Sequence, residues 1–481
     1  MFRKVLFLTV SVLGLLACEL QAGLVNSKWV GSERGEWGNK NNWDPRVVPD
    51  NNPFNTFAVT IDSNSIGLDE IEVSLKQNRT ITRLSTSGVV ELVRAEDSDD
   101  GFWLIIEDAN GFENLGALTI QDDLWIHGDI VNYGKLKISC QAEVEGNIMN
   151  NGYMKTSDGV EILGNVTNSA GATAIVLDPD VGGTLYNAAG ASLRILDNVE
   201  VHEDNEGNRG DLENAGLIIV ELAGDLWAEQ QFHNTGQIEL MGGSLGRFVP
   251  EKGQQVVDNN SPGAIAGFGI VKARQLIQNK GTICASEGPL LVESKRSVTN
   301  TGTLMNEVGA ALHIRASIVD VNNQHIIEIN DAGAVTFNGY LNNEPNAIID
   351  LRGGTLSAQR MTQMEGAKFE GFGGITGNVL IDPNAVIKLT GPTNIVGDVT
   401  ISQNATLEIS DGTTLITGQT TCNGTIHMKG GRIIPQGGLS GNCNIIWEPG
   451  TYSNIADFNL DGRVNFKDLT DFADTWLWVR E

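Results

Sequence analysis

Val131-Asn132-Tyr133-Gly134-Lys135-Leu136-Lys137-Ile138 is one copy of a phrase that the chain repeats. The phrase is an apolar residue, Asn, a small residue or two, often Gly, then apolar and polar positions in alternation. An earlier copy reads Glu113-Asn114-Leu115-Gly116-Ala117-Leu118-Thr119-Ile120. Further copies centre on Asn150, Asn168, Asn187, Asn214, Asn234, Asn279, Asn300, Asn322, Asn342, Asn384, Asn404, Asn423 and Asn444. Asn132 and Asn444 are 312 residues apart. With two rungs lacking a clean Asn, near Asn259 and Gln363, there are 15 intervals, and 312/15 is 20.8 residues each. A second landmark agrees: Gly267-Phe268-Gly269 and Gly371-Phe372-Gly373 lie 104 residues apart, five such periods.

Within each period the alternation has a repeat of two, as in Gln237-Ile238-Glu239-Leu240, which is a strand signal. No amphipathic helical pattern occurs before the C-terminus. Short strands phased this regularly predict a parallel coil of about three strands per turn, with turns stacked about 4.8 Å apart. The recurring Asn is expected to tolerate a left-handed corner, and to donate and accept along a column of its own copies. The pattern resembles the right-handed parallel β-helix proteins, among them exported adhesin-like and autotransporter passenger domains of bacteria. The resemblance covers residues 63–450 and implies an all-β solenoid. It says little of activity, because such coils carry both enzymes and inert stalks.

The chain has 481 residues, 41% of them hydrophobic, with a net charge of −28. That balance excludes a nucleic-acid partner, which needs a basic footprint. A pectin-like polyanion would also be repelled unless cations intervened, whereas divalent cations are favoured. Residues 1–22 read as an export signal: Arg3 and Lys4 precede an apolar run, Val5 to Ala17, too short to span a bilayer. Cleavage after Leu20-Gln21-Ala22 would give a secreted chain. Leu15-Leu16-Ala17-Cys18 resembles a lipoprotein box, which would tether it at the cell surface through Cys18. No transmembrane helix is expected elsewhere.

Residues 23–62 are expected to cap the first coil. Trp29, Trp37 and Trp43 fall within 15 residues there and read either as a hydrophobic lid or as a sugar-stacking cluster. Near the other end, Cys422 precedes Asn423 and Cys443 precedes Asn444, 21 residues on. The two cysteines should stack on adjacent turns with Cα atoms about 4.8 Å apart. Either a disulfide or two packed thiols fits that register.

The half module at 451–481 carries the most specific motif. Asp457, Asn459, Asp461, Gly462, Arg463, Asn465 and Asp468 occupy positions 1, 3, 5, 6, 7, 9 and 12 of a Ca²⁺ loop. Arg463 would contribute its backbone carbonyl. Leu469, Phe472, Ala473, Trp476 and Leu477 then follow at helical spacing. The segment resembles one repeat of a type I dockerin, which implies Ca²⁺ as cofactor and attachment as role. A dockerin that grips a cohesin has two repeats, and here one precedes Glu481.

The leading expectation is a non-enzymatic exported solenoid, structural or adhesive, whose partner is an extracellular polysaccharide or cell-surface component. No catalytic residues are assigned. The rival is a polysaccharide lyase or glycoside hydrolase on the same fold, with Asp178, Asp180, Glu203, Asp204 and Arg209 as candidates. Three or more carboxylates stacked in a cleft would favour the rival.

Overall fold

The structure is a computed structural model that describes residues 23–95, 101–109, 111–157, 159–203, 210–247, 256–317 and 320–448. The chain forms two compact units. One holds the residues up to Thr282 with Glu293–Lys295; the other holds Ile283–Val292 and the residues from Arg296 onward. Both are parallel β-solenoid, about 18 turns in all with about 20 residues per turn.

The alternation seen in the sequence decides which side chains enter the core. In the first unit Leu118, Leu136, Met154, Ala174, Leu193, Ile218, Ile238 and Ile265 stand in one register column, and all are buried. In the second, Leu304, Ile327, Ile349, Phe369, Ile387, Leu407 and Ile426 do the same. The glycine of the phrase has a steric cause. A β-carbon on Gly134 would lie 1.9 Å from the carbonyl oxygen of Gly116 in the turn before. The Gly-Phe-Gly marks are corners: Gly371 has φ +137°, and a β-carbon there would meet the Leu351 carbonyl oxygen at 1.9 Å.

The recurring Asn forms a buried amide ladder. In the first unit each side-chain amide donates to the next carbonyl oxygen: Asn114 to Asn132 at 2.6 Å, Asn132 to Asn150 at 2.7 Å, Asn150 to Asn168 at 2.8 Å and Asn168 to Asn187 at 2.9 Å. The ladder continues through Asn214, Asn234, Asn259 and Asn279. The second amide hydrogen goes to a main-chain carbonyl of the following turn, as from Asn132 to Tyr153 O at 2.9 Å. The ladder begins at the hydroxyl of Thr86, which donates to Asn114 Oδ1. In the second unit it runs from Asn300 through Asn323 and Asn343 to Gln363, whose amide turns back to the Ala367 carbonyl at 2.7 Å. Beyond Gln363 the same column is filled by Ile381, Ile401 and Cys422.

Several sequence expectations are corrected here. Asn259 and Gln363 are full members of the ladder. Asn322 and Asn342 are not: each precedes the true rung by one residue and points the other way, with Asn342 donating to Asn322 at 3.0 Å. Asn384 and Asn404 have φ of +62° and lie exposed in turns. Asn423 and Asn444 are exposed as well. The two roles expected of one Asn are thus divided, because a buried rung must be extended for its amide to point along the column.

The N-terminal tryptophans form a lid. Trp29, Trp37 and Trp43 are each 0% exposed, which removes them as a sugar-stacking cluster. Trp43 packs edge-on against Trp29 at 5.0 Å between ring centroids, and Trp37 lies 4.8 Å from Trp43. The strand that ends in Trp29, Gly23–Trp29, lies parallel to Asn55–Asp62 and antiparallel to Trp43–Asp44. At the other end Cys422 and Cys443 are disulfide-bonded, with Cα atoms 4.9 Å apart. The cysteines do lie on adjacent turns and the bridge is present, but not through the expected Asn column, since Asn444 stands on Thr425 rather than on Asn423.

Replacing Asn150 with Ala should leave one hydrogen of the Asn132 amide and the Asn168 side-chain oxygen without their partner in the core, and remove the side-chain bond to the Thr173 carbonyl. The expected loss is on the order of 3 kcal/mol. Asn404→Gly should be close to neutral, since glycine accepts the left-handed turn. Chemical denaturation of the two variants against the unaltered protein checks the contrast.

Candidate functional site

The outer surface of the first unit carries an uninterrupted aromatic and acidic stripe. Strands Phe102–Ile106, Leu124–His127, Glu143–Glu145, Val160–Ile162, Pro179–Gly182, Asn198–His202 and Asp225–Ala228 lie on one face in successive turns. Their inward positions are apolar, with Ile126, Val144, Val181 and Val201 buried. The period of two therefore sends the intervening residues outward. These fall in register as Trp103, Trp125, Glu143, Glu161, Asp180, Glu200 and Trp227, the last of them buried at 5% exposure.

At the start of the stripe the Trp103 and Trp125 rings are half-buried and stacked, with centroids 5.2 Å apart and planes tilted by 54°. Beside them His127 Nδ1 lies 2.8 Å from Glu145 Oε2. Four carboxylates then follow on adjacent turns, and none makes an ion pair among the described residues. Like charges in direct register repel. Burial first, then Glu161 and Glu145, push the Glu143 carboxyl above its usual range. Burial first, then Asp180, do the same to Glu200, partly offset by His202 and Arg247. Arg247 also sits over the Trp227 ring, 5.8 Å from its centroid. The Trp227 indole N–H and His202 Nδ1 are buried without a hydrogen-bond partner.

The second unit carries a charged column of its own, without tryptophans, on the strands that bury Ile327, Ile349 and Phe369. Glu328, Asp350, Glu370, Lys388, Glu408 and His427 stand in one column. Arg352 pairs with both Glu328 and Asp350. Lys388 and Lys368 pair with Glu370 at 2.8 and 2.9 Å, and Lys429 pairs with Glu408 at 3.1 Å. Hydrogen bonds from Lys388 and then Lys368 hold Glu370 below the usual carboxylate range. Cations pair directly with the carboxylates of this column, whereas among the described residues Glu143, Glu161, Asp180 and Glu200 have none within ion-pair distance and only Glu200 feels nearby positive groups, His202 and Arg247.

A groove of about 610 Å³ runs along the corner just before the tryptophan-bearing strands. Arg94, Asp122, Asp123, Cys140, Gln141 and Asp178 line it. Asp122, Asp123, Cys140, Gln141 and Asp178 all have positive φ, so successive corners present their side chains along one line.

Of the residues singled out in the sequence, Asp178 lies on this groove and Asp180 in the stripe. Glu203 donates its backbone N–H to Glu229 Oε2 at 3.2 Å. Asp204 and Arg209 lie outside the described residues, as do residues 1–22 and the whole Ca²⁺ loop with Asp457, Asn459, Asp461, Arg463, Asn465 and Asp468. Sequence reading missed Trp103, Trp125, Glu143, Glu161 and Glu200. Their signal was present as one outward position per turn, but it emerges only when the strands are laid in register. Among the described residues no group of three or more His, Cys, Asp or Glu is arranged to hold a metal ion, and no helix is long and apolar enough to cross a membrane. Compared with known protein families, curated proteins and solved structures, the chain matches none.

The raised carboxyls fix a sign for pH dependence. Glu143 and Glu200 bind protons more tightly folded than unfolded, so their charge weakens the fold above their folded values. Stability should rise as pH falls from neutral through those values toward the ordinary carboxylate range. Glu143→Gln and Glu200→Gln should each stabilise at pH 7, by about 0.5 kcal/mol after solvent screening, and flatten that rise. Glu370→Gln should act oppositely, because the lowered carboxyl stabilises above its unfolded value and loses that contribution as pH falls. Thermal melts of the three variants between pH 4 and 8 check both signs.

Proposed function

We propose that the protein is an exported structural or adhesive β-solenoid that contacts an extracellular polysaccharide along its Trp103–Glu200 stripe. The observation that carries the reading is the stacked, outward Trp103–Trp125 pair continuing into carboxylates with no ion-pair partner. Sugar rings stack on aromatic faces through their C–H surfaces. Carboxylates accept hydrogen bonds from hydroxyls and attract amino sugars, so the preferred polymer is neutral or cationic. The long axis of the stripe, one residue per turn, suits a linear chain. The Cys422–Cys443 bridge supports an oxidising, exported setting. In this reading the coil belongs with right-handed, adhesin- or passenger-like β-helices.

The tail supplies attachment. Asp457, Asn459, Asp461, the Arg463 carbonyl, Asn465 and Asp468 would hold one Ca²⁺ and order the residues after them.

A second reading, glycoside hydrolase or lyase, is favoured by one observation: Glu143, Glu161, Asp180 and Glu200 stand in register on four successive turns. Neighbouring carboxyls are the groups that acid–base cleavage of sugars needs. A reducing-end and unsaturated-product assay on bound polymers separates the two. Binding without cleavage supports the adhesive reading; product formation lost in Glu143→Gln or Glu200→Gln supports the enzyme.

Two outcomes are expected. On a panel of neutral, amino-sugar and acidic polysaccharides, affinity electrophoresis should show retardation by the first two classes. Trp103→Ala or Trp125→Ala should weaken binding about tenfold per ring. Calorimetry of the full chain in millimolar Ca²⁺ should show a single site, weakened most by Asp457→Ala, which removes a formal charge from position 1. No heat at that concentration would end the Ca²⁺ assignment.

A further inference from the structure

In the first unit, the strands that precede the carboxylate stripe in each turn carry charge of the opposite sign. Lys135–Ile138, Tyr153–Thr156, Thr173–Val176 and Ser192–Ile195 lie on the same turns as Glu143, Glu161, Asp180 and Glu200. Leu136, Ile138, Met154 and Leu193 are buried, so the alternate residues face outward. Lys137, Lys155, Ile175 and Arg194 stand in one outward column, with Lys135 and Tyr153 in the column beside it. Lys137 and Lys155 are in direct register, where like charges repel. Among the described residues Lys135, Lys137 and Lys155 make no ion pair. Lys137 does favour the charged form of Glu91, two turns before, without pairing with it. The adjoining outward positions, Ala117, Thr119 and Thr173, are short, so a second flat surface can come close.

We infer that this lysine face docks on the carboxylate stripe of a second copy of the chain, with the two coils side by side and parallel. Charge complementarity at matched spacing carries the inference. Both columns advance one residue per turn on the same turns, so their rise is identical by construction. In parallel register Lys137 meets Glu143 and Lys155 meets Glu161. Arg194, which already pairs with Glu221, meets Glu200, while Ile175 passes Asp180. The Lys137 and Lys155 contacts relieve a like-charge repulsion on each copy. The two faces belong to different strands, so the contact is heterologous and builds an open row or a ring rather than a two-fold pair. Two chains of net charge −28 repel at long range, so the contact depends on pairs at close range, and their order along the coil sets its register. An acidic polymer has the sign to compete, but nothing ties its charge spacing to the turns. Trp103 and Trp125 lie on the two turns before the paired ones, so the inference goes beyond the polysaccharide reading and does not rest on it.

The test compares the full chain with a Lys137→Gln/Lys155→Gln variant and a Glu143→Gln/Glu161→Gln variant. Sedimentation velocity is run over a range of protein concentrations. The full chain should gain mass with concentration, past a dimer. Each variant alone should associate at least about tenfold more weakly. An equimolar mixture of the two should regain the affinity of the full chain but stop at pairs, because each copy keeps one competent face. That recovery also shows both variants to be folded. A full chain that stays monomeric at every concentration overturns the inference. So does association left unchanged in either variant, or a mixture that fails to pair. Affinity electrophoresis on acidic polysaccharides reads the rival occupant: retardation of a monomeric full chain that the lysine variant loses would make the polymer the partner. The lysine variant keeps Trp103 and Trp125, so its retardation by neutral and amino-sugar polymers reports on the polysaccharide reading separately from the assembly.

Discussion

The hydrogen bond from one buried Asn amide to the next sets the terms for the coils that carry it. A primary amide has two donor hydrogens and an oxygen with two lone pairs. In the ladder one hydrogen reaches the next rung and the other a main-chain carbonyl, as at Asn150 with Asn168 and Thr173. The oxygen accepts from the rung before and, at Asn114, Asn150 and Asn214, from the backbone N–H two residues on. Such a group is stable in a dry core only when satisfied, so each turn must return the same atom to the same place. Extra residues have to leave the coil elsewhere. The 27-residue step from Asn187 to Asn214 and the 25-residue step from Asn234 to Asn259 keep rung distances of 2.8 and 2.7 Å.

That constraint on the inside leaves the outside unconstrained, and the two units use the freedom differently. Glu328 to His427 forms a charged column balanced by Arg352, Lys368, Lys388 and Lys429. Glu143 to Glu200 forms one without an ion pair among the described residues, and the half-buried Trp103 and Trp125 rings lie at its start. Unpaired like charges in register cost stability.

The fold was legible in the sequence because its signals are local and repeated. Alternation named the inward residues, and the spacing of Asn named the turn. What failed was register at doublets. In Asn322-Asn323 and Asn342-Asn343 the repeat length cannot choose between neighbours, and only the pleat decides. Asn384 and Asn404 misled for another reason: left-handed turns select Asn as strongly as amide ladders do. The stripe was illegible because turn lengths vary from 18 to 27 residues. Glu143, Glu161, Asp180 and Glu200 have no fixed spacing until the coils are aligned.

The central claim is that consecutive buried Asn side chains are joined amide to carbonyl through the core. Side-chain ¹⁵N-Asn labelling and hydrogen exchange of the Nδ2 hydrogens read it directly. The account predicts a set of Asn amides, Asn132, Asn150, Asn168 and Asn323 among them, whose two hydrogens both exchange slowly, while Asn384, Asn404 and Asn423 exchange at solvent rates. Fast exchange at the ladder positions, with the coil still folded by circular dichroism, would contradict it.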